Sequence, residues 1–338
     1  MDRMMQPEES SNRTLMDRVK SRTLTFENAR FVQSLFANDE TLLRDLRDQL
    51  DVKVTTRDSW IKLEGSEDAI LRAQTVFENL EAVRRKGLEI NPQSFHYAIR
   101  SAQAPEPTPN LNDLTEFRLL VGGRKEPVSP KTGGQLEYLR ALSSKEVIFG
   151  IGPAGTGKTY LAVASAIQAL KDKKVERIIL TRPAVEAGEA LGFLPGDLQE
   201  KIFPYLRPLY DAIHEMCDRS EVERWIDHRL IEIAPLAYMR GRTLNRAFVI
   251  LDEAQNTTCE QMFMFLTRMG VSSRCAITGD PSQIDLKRGV RSGLHEAMEA
   301  LQSVEGVEFC RLTGEDVVRH PVVARIIAAY AAHRTQPS

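Results

Sequence analysis

Three short segments carry residue types that can do phosphate chemistry. Gly152-Pro153-Ala154-Gly155-Thr156-Gly157-Lys158-Thr159 is a full match to the phosphate-binding loop, a glycine and four residues followed by Gly-Lys-Thr. Glycines there let backbone amides close around phosphate oxygens, Lys158 would neutralise the β and γ phosphates, and the Thr159 hydroxyl would ligate Mg²⁺. Tyr160 follows in the helix that leaves the loop, whose positive end adds to the anion site. The second segment is the apolar run Phe248-Val249-Ile250-Leu251 ending in Asp252-Glu253-Ala254-Gln255. A carboxylate at the carboxyl end of a parallel strand lies in the ligand crevice of such sheets, so Asp252 is expected to hold Mg²⁺ through water. Glu253, the acid beside it, is expected to act as general base on a water, the equipment of a hydrolase rather than of a kinase. The third is Gly279-Asp280-Pro281-Ser282-Gln283, where the Gln283 amide could touch the γ-phosphate or the attacking water.

These segments need elements to position them. From Gln135 onward, apolar β-branched runs at 147–151, 177–180, 230–233, 247–251, 275–278 and 307–312 alternate with helical patterns such as Tyr160 to Leu170 and Glu260 to Met269. Near-continuous apolar strands separated by helices predict an α/β fold, a parallel sheet covered by helices on both faces. Upstream, helical patterns at 29–36 and 42–50, alternating segments at 52–56 and 60–64, and a long helix over 66–85 predict a small α+β unit. The organisation read from the sequence is a mobile, charged leader (1–22), the small unit (23–86), a proline-rich connector in which long helices are not expected (87–131), and a phosphate-loop domain (132–334).

Composition agrees with a globular chain and excludes others. Of 338 residues, 42% are hydrophobic and 27% charged, and 45 basic against 47 acidic residues leave a net charge of -2. That balance predicts neither a nucleic-acid nor a membrane partner by itself. No apolar run is long enough to span a bilayer, and the N-terminus lacks a signal-peptide core, so a cytoplasmic protein is expected. Cys217, Cys259, Cys275 and Cys310 have no paired spacing, which reads as reduced thiols rather than a zinc site. The six histidines show no metal-ligand spacing either, and Met262, Met264 and Met269 read as core packing.

Taken together, the three motifs resemble the first RecA-type domain of superfamily 1 helicases. Within that group, Gly150 to Thr159, Thr181-Arg182-Pro183-Ala184-Val185-Glu186 and Leu191-Gly192-Phe193-Leu194-Pro195-Gly196-Asp197 closely resemble the PhoH-like ATPase family, of PhoH/PhoL type, over about Leu24 to His333. The resemblance implies a RecA-like P-loop NTPase using ATP and Mg²⁺, with Gln135 as the adenine-reading glutamine. Such ATPases want an arginine at the γ-phosphate. Arg319, in Val317-Val318-Arg319-His320-Pro321, and Arg291 are the candidates. Superfamily 1 helicases carry that arginine on a second RecA-type domain, for which too few residues follow here. The expectation is therefore a homo-oligomeric ring, hexameric by resemblance, with Arg319 acting in trans.

The small unit resembles a KH-type RNA-binding domain, in which a Gly-x-x-Gly loop clamps a nucleotide backbone. Here that place reads Ala37-Asn38-Asp39-Glu40, and its carboxylates would repel phosphates. A second RNA surface is expected at Arg182 and Tyr238-Met239-Arg240-Gly241-Arg242-Thr243, basic and aromatic at strand ends. The reading is thus Mg²⁺-dependent ATP hydrolysis coupled to binding or remodelling of single-stranded RNA. By resemblance, a ribonuclease or ribosome-associated factor such as a YbeY-type endoribonuclease is a partner. The alternative is a nucleotide-switched adaptor that binds such a factor without moving on RNA.

Overall fold

Val52, Val54, Ile61 and Leu63 alternate with polar residues, and each is at most 3% exposed while Lys53 and Thr55 face solvent. That period of two fixes one buried sheet face in the first half of the chain. The computed structural model describes residues 20–105, 108–122, 125–183 and 198–318, with 326 and 329. The chain divides into two units, 1–112 and 113–338.

In the first unit, β1 (Lys20–Thr25), β2 (Lys53–Arg57) and β3 (Trp60–Gly65) form an antiparallel sheet in the order β1-β3-β2. Helices α1 (Ala29–Leu35), α2 (Glu40–Leu50), α3 (Glu67–Arg85) and α4 (Pro92–Gln103) complete it. Side chains of Asn28, Asp39, Ser66 and Asn91 cap the four helices, each accepting a hydrogen bond from a first-turn amide. Two sequence expectations need correction. Residues 20–22, assigned to the leader, lie in β1, which pairs with β3 from Lys20↔Gly65 to Thr25↔Trp60. The connector, in which the prolines predict no long helix, contains the twelve-residue α4, with Pro92 in its first turn, where no intrahelical amide is needed. The short helix α5 (Leu111–Glu116) follows.

The second unit is a six-stranded parallel sheet, the fold expected from the motifs. Its strands are β4 (Val147–Ile151), β5 (Arg177–Arg182), β6 (Ile231–Pro235), β7 (Ala247–Leu251), β8 (Arg274–Gly279) and β9 (Val307–Arg311), in the order β6-β5-β7-β8-β4-β9. Alternate residues face opposite layers. Ile148, Ile178, Leu180, Phe248, Ile250 and Ala276 pack with α6 (Gly133–Ser144), α7 (Lys158–Lys171), α8 (Leu198–Met216) and α9 (Arg219–Asp227). Phe149, Ile179, Val249, Leu251 and Ile277 pack with α10 (Cys259–Leu266) and α11 (Gly293–Ala300) on the other face. Full burial of each of these Val, Leu, Ile and Phe side chains contributes about 1.5–3 kcal/mol, which makes the sheet a rigid platform for what stands on its carboxyl edge. Because β8 lies between β4 and β7, the third motif is held between the first two.

Candidate nucleotide site

The phosphate loop joins β4 to α7, and its shape depends on glycine. Gly152, Gly155 and Gly157 have φ of 155°, 86° and 83°, values that a side chain rarely tolerates. A Cβ on Gly152 would stand 2.2 Å from the Leu312 carbonyl oxygen. Gly157 caps α7 without any side-chain bond, so the first-turn amides are left facing the loop. Lys158 Nζ donates to the carbonyls of Gly152 (2.6 Å) and Pro153 (2.9 Å), folded back over the same loop.

The alternation within the sheet carries Asp252, Thr278 and the α7 residue Thr159 to one point. Thr159 Oγ1 donates to Asp252 Oδ1 at 2.6 Å, and Thr278 Oγ1 donates to the same oxygen at 2.8 Å. Asp252 is only 7% exposed. A hydroxyl and a carboxylate give hard oxygen donors of the kind Mg²⁺ takes alongside substrate phosphates and waters. Among the described residues, no group of three or more His, Cys, Asp or Glu could hold a metal without such outside ligands.

Glu253 turns the chain out of β7 with φ 52°, a left-handed conformation uncommon for a side-chain-bearing residue and frequent where structure serves chemistry. Its carboxylate lies between Arg182 Nη2 (3.2 Å from Oε1) and Gln255 Nε2, which donates to Oε2 at 2.5 Å. Gln255 is 1% exposed and its Oε1 accepts from the Asp280 amide at 3.1 Å, tying the second motif to the third. Burial alone pushes the Asp280 carboxyl up, but hydrogen bonds from the Ser282 hydroxyl and amide and from Gln283, together with the charge of Lys158, leave it below the ordinary aspartate value. Gln283 Nε2 donates to Asp280 Oδ2 at 2.6 Å. Ala154, Gly155, Lys158, Thr159, Tyr160, Asp252, Glu253, Asp280 and Gln283 all line one cavity of about 270 Å³, so the three motifs open onto the same space.

Gln135 occupies a different place. It is 3% exposed, behind the loop, where Oε1 accepts from the Lys131 amide (2.8 Å) and Nε2 donates to the Thr156 carbonyl (3.0 Å). Thr132 caps α6 and donates to Asp316 Oδ1, while the Val318 amide donates to the Gly155 carbonyl. The phosphate loop is therefore braced from outside by the start of α6 and by the turn after β9, a support that no motif announced.

The arginines divide. Arg319 lies outside the described residues, as do 184–197, which contain most of two segments quoted for the resemblance. Arg291 is an exposed partner of Glu299 and takes no part in the cavity. Arg182, expected on an RNA surface, reaches Glu253. In the loop after β6, Arg242 grips Glu232 through two hydrogen bonds of 2.6 and 2.8 Å, while Tyr238 and Arg240 of that run are exposed. In the first unit, Ala37 and Asn38 take the left-handed turn with φ of 54° and 55°, and Asp39 uses its carboxylate to cap α2 through the Thr41 hydroxyl and amide. Those bonds, the hydroxyl's first, hold the Asp39 carboxyl below its ordinary value. Burial pushes the thiols of Cys217 and Cys310 up to about 11 and about 12, so both stay protonated at neutral pH. Among the described residues no helix is long and apolar enough to cross a membrane.

Residues 127–331 match the family model described as PhoH-like protein. The chain is similar to the PhoH-like protein of Bacillus subtilis (strain 168), 50% identical over 297 residues that span 88% of this chain and 93% of that one. The PhoH-like protein of Mycobacterium tuberculosis (strain ATCC 25618 / H37Rv) is 46% identical over 303 residues, 89% of this chain and 85% of the relative. Protein PhoH of Escherichia coli (strain K12) is 47% identical over 213 residues, 61% of this chain and 58% of that one. Among solved structures, the Pif1 helicase from Candida albicans aligns over 58% of this chain and 42% of its own at 16% identity with a TM-score of 0.31, a likeness too slight to carry weight.

Proposed function

The chain belongs to the PhoH-like protein family, and on that premise we propose that it is a Mg²⁺-dependent ATPase that couples hydrolysis to binding or remodelling of single-stranded RNA. The observation that carries the ATPase reading is the convergence of Lys158, Thr159, Asp252, Glu253 and Gln283 on one cavity. In this reading the loop amides and Lys158 hold the β and γ phosphates, with Lys158 exchanging its two carbonyl partners for phosphate oxygens. Thr159 and Asp252 would hold Mg²⁺, which when bound offsets charge developing on the phosphates. Glu253 accepts the proton of the water that attacks the γ-phosphorus, and Gln283 reports whether that phosphate is present. Gln135, whose amide braces the loop, is read as tying adenine recognition to loop position.

The same reading makes the first unit a KH-like module, places the protein in the cytoplasm, and arranges it as a homo-oligomeric ring in which Arg319 completes a neighbour's site. A ribonuclease or ribosome-associated factor is its protein partner. Steady-state ATP hydrolysis with and without single-stranded RNA, measured alongside the mass in solution, tests the turnover, its coupling to RNA and the ring. RNA-stimulated turnover by a ring-sized particle is expected. Lys158→Ala should abolish it and Glu253→Gln should lower it by about 10²–10⁴-fold with the fold intact. Normal hydrolysis by Glu253→Gln would remove the general base. Turnover indifferent to RNA but altered by a protein partner would replace the motor with the adaptor.

A further inference from the structure

Both oxygens of Glu253 are engaged, Oε1 by Arg182 and Oε2 by Gln255. With one donor already on each oxygen, a water that is to lose its proton to this carboxylate competes with them for approach and lone pairs. The two partners are unequal. Gln255 is fully buried, and beyond its bond to Glu253 its side-chain oxygen accepts from the Asp280 amide and its carbonyl from Ser292 Oγ at 2.7 Å. Arg182 closes β5 with a side chain 22% exposed, on a long flexible stem. Arg182 is therefore the partner that can leave.

What could draw it away follows the neighbouring strand. Arg182 is in register with Pro235, the last residue of β6, and the chain runs directly from there into Tyr238, 47% exposed, and the exposed Arg240. An exposed aromatic flanked by arginine at a strand edge suits a base stacked on the ring and a phosphate on the guanidinium. The planar fork of Arg182 serves a phosphodiester as well as a carboxylate.

We propose that Arg182 is a positioning residue shared between two anions: it latches Glu253, and the backbone of a single-stranded RNA crossing Tyr238 and Arg240 takes it over, so that polymer binding releases the general base. The proposal rests on the ATPase reading above. The step is an exchange of ion-pair partners and moves no covalent bond. Because one cation serves both anions, the coupling must run both ways: freeing Arg182 from Glu253 must tighten RNA binding even without nucleotide.

The test begins with equilibrium binding of a fluorescein-labelled oligouridylate by anisotropy, without ATP or Mg²⁺. Glu253→Gln should bind it about 5-fold more tightly than the unaltered chain, and the gain should vanish in the Arg182→Ala/Glu253→Gln double variant. Arg182→Ala alone should raise the RNA-free kcat with KM for ATP unchanged and should lose stimulation by RNA, whereas Arg182→Lys should restore partial stimulation. Equal RNA affinity of Glu253→Gln and the unaltered chain would overturn the proposal, as would a gain that survives in the double variant. A lower RNA-free kcat in well-folded Arg182→Ala would also overturn it, making Arg182 a support for the active carboxylate. ATP turnover that Lys158→Ala abolishes, combined with any of these failures, removes the latch alone. Absence of Lys158-dependent turnover removes the ATPase reading itself.

Discussion

Two glycines of the second unit show how backbone geometry alone separates a functional position from a tolerant one. Gly152 and Gly241 both have positive φ, 155° and 78°. A Cβ at Gly152 meets the Leu312 backbone, which cannot swing aside, whereas a Cβ at Gly241 meets nothing within 4 Å. Gly152→Ala is therefore expected to combine backbone strain with overpacking, about 2–5 kcal/mol in a chemical denaturation curve, and to abolish binding of a fluorescent ATP analogue. Gly241→Ala carries the strain only, about 1 kcal/mol, with ATP binding unchanged. Glu232 and Arg242 give a residue-scale prediction in pH. The Arg242 hydrogen bond, more than its charge, holds the Glu232 carboxyl below its usual 4.5. A depressed carboxylate contributes stability that is present above the unfolded value and is lost as pH falls through the folded one. Melting curves should show Glu232→Gln less stable than the unaltered chain at pH 7, by up to about 1 kcal/mol for so exposed a pair, with the difference closing below pH 4.5. The chemistry of Lys158, Asp252 and Glu253 was legible because each sits in a contiguous motif. The pairing of Glu253 with Arg182 was not, because the two meet only when the ends of β5 and β7 are laid side by side.

At the scale of elements, the phosphate loop depends on a helix and a turn that carry no phosphate chemistry. Thr132 caps α6 and also donates to Asp316, whose other oxygen accepts from the Thr313 amide at 2.7 Å. Through Gln135 this corner reaches the Thr156 carbonyl, and through Val318 it reaches that of Gly155. Thr132→Ala should cost about 1 kcal/mol as a lost cap. Because the brace acts on loop position rather than on the reacting groups, kinetics should show a raised KM for ATP with kcat little changed; a fall in kcat at constant KM would mean that the corner acts on Glu253 instead. Elements were legible where burial imposes a period, as in the six apolar strands of the second unit. β1 reads Lys-Ser-Arg-Thr-Leu-Thr, an edge strand mostly exposed, and its place comes from pairing with β3 rather than from any pattern of its own. α4 was hidden by proline counting: Pro92 starts the helix, Asn91 caps it, and the remaining prolines of that stretch stand outside its span.

Across the whole molecule, length alone suggested two domains, and each unit does close its own core. Leu35, Leu46, Ile61, Phe77, Leu80, Phe95 and Ile99 are all 0% exposed in the first unit, while the second buries both faces of its sheet. The boundary lies at 112 rather than 86 because α4 sends Phe95 and Ile99 into the core that α2 and α3 share, so the sequence between 87 and 103 is domain rather than tether. Every residue lining the nucleotide cavity belongs to the second unit. Damage confined to the first core should then leave basal chemistry intact. Phe77→Ala removes a fully buried ring and should cost about 3–5 kcal/mol, enough to unfold a small unit at moderate temperature. Scanning calorimetry of this variant should show one transition lowered and a second in place, while ATP hydrolysis without RNA stays within a factor of two of the unaltered chain, a change of less than about 0.5 kcal/mol in barrier. RNA stimulation is the discriminating readout. If it disappears with the first unit unfolded, that unit delivers the polymer to the edge where Arg182 stands; if it survives, the strand-end surface of the second unit recruits RNA on its own.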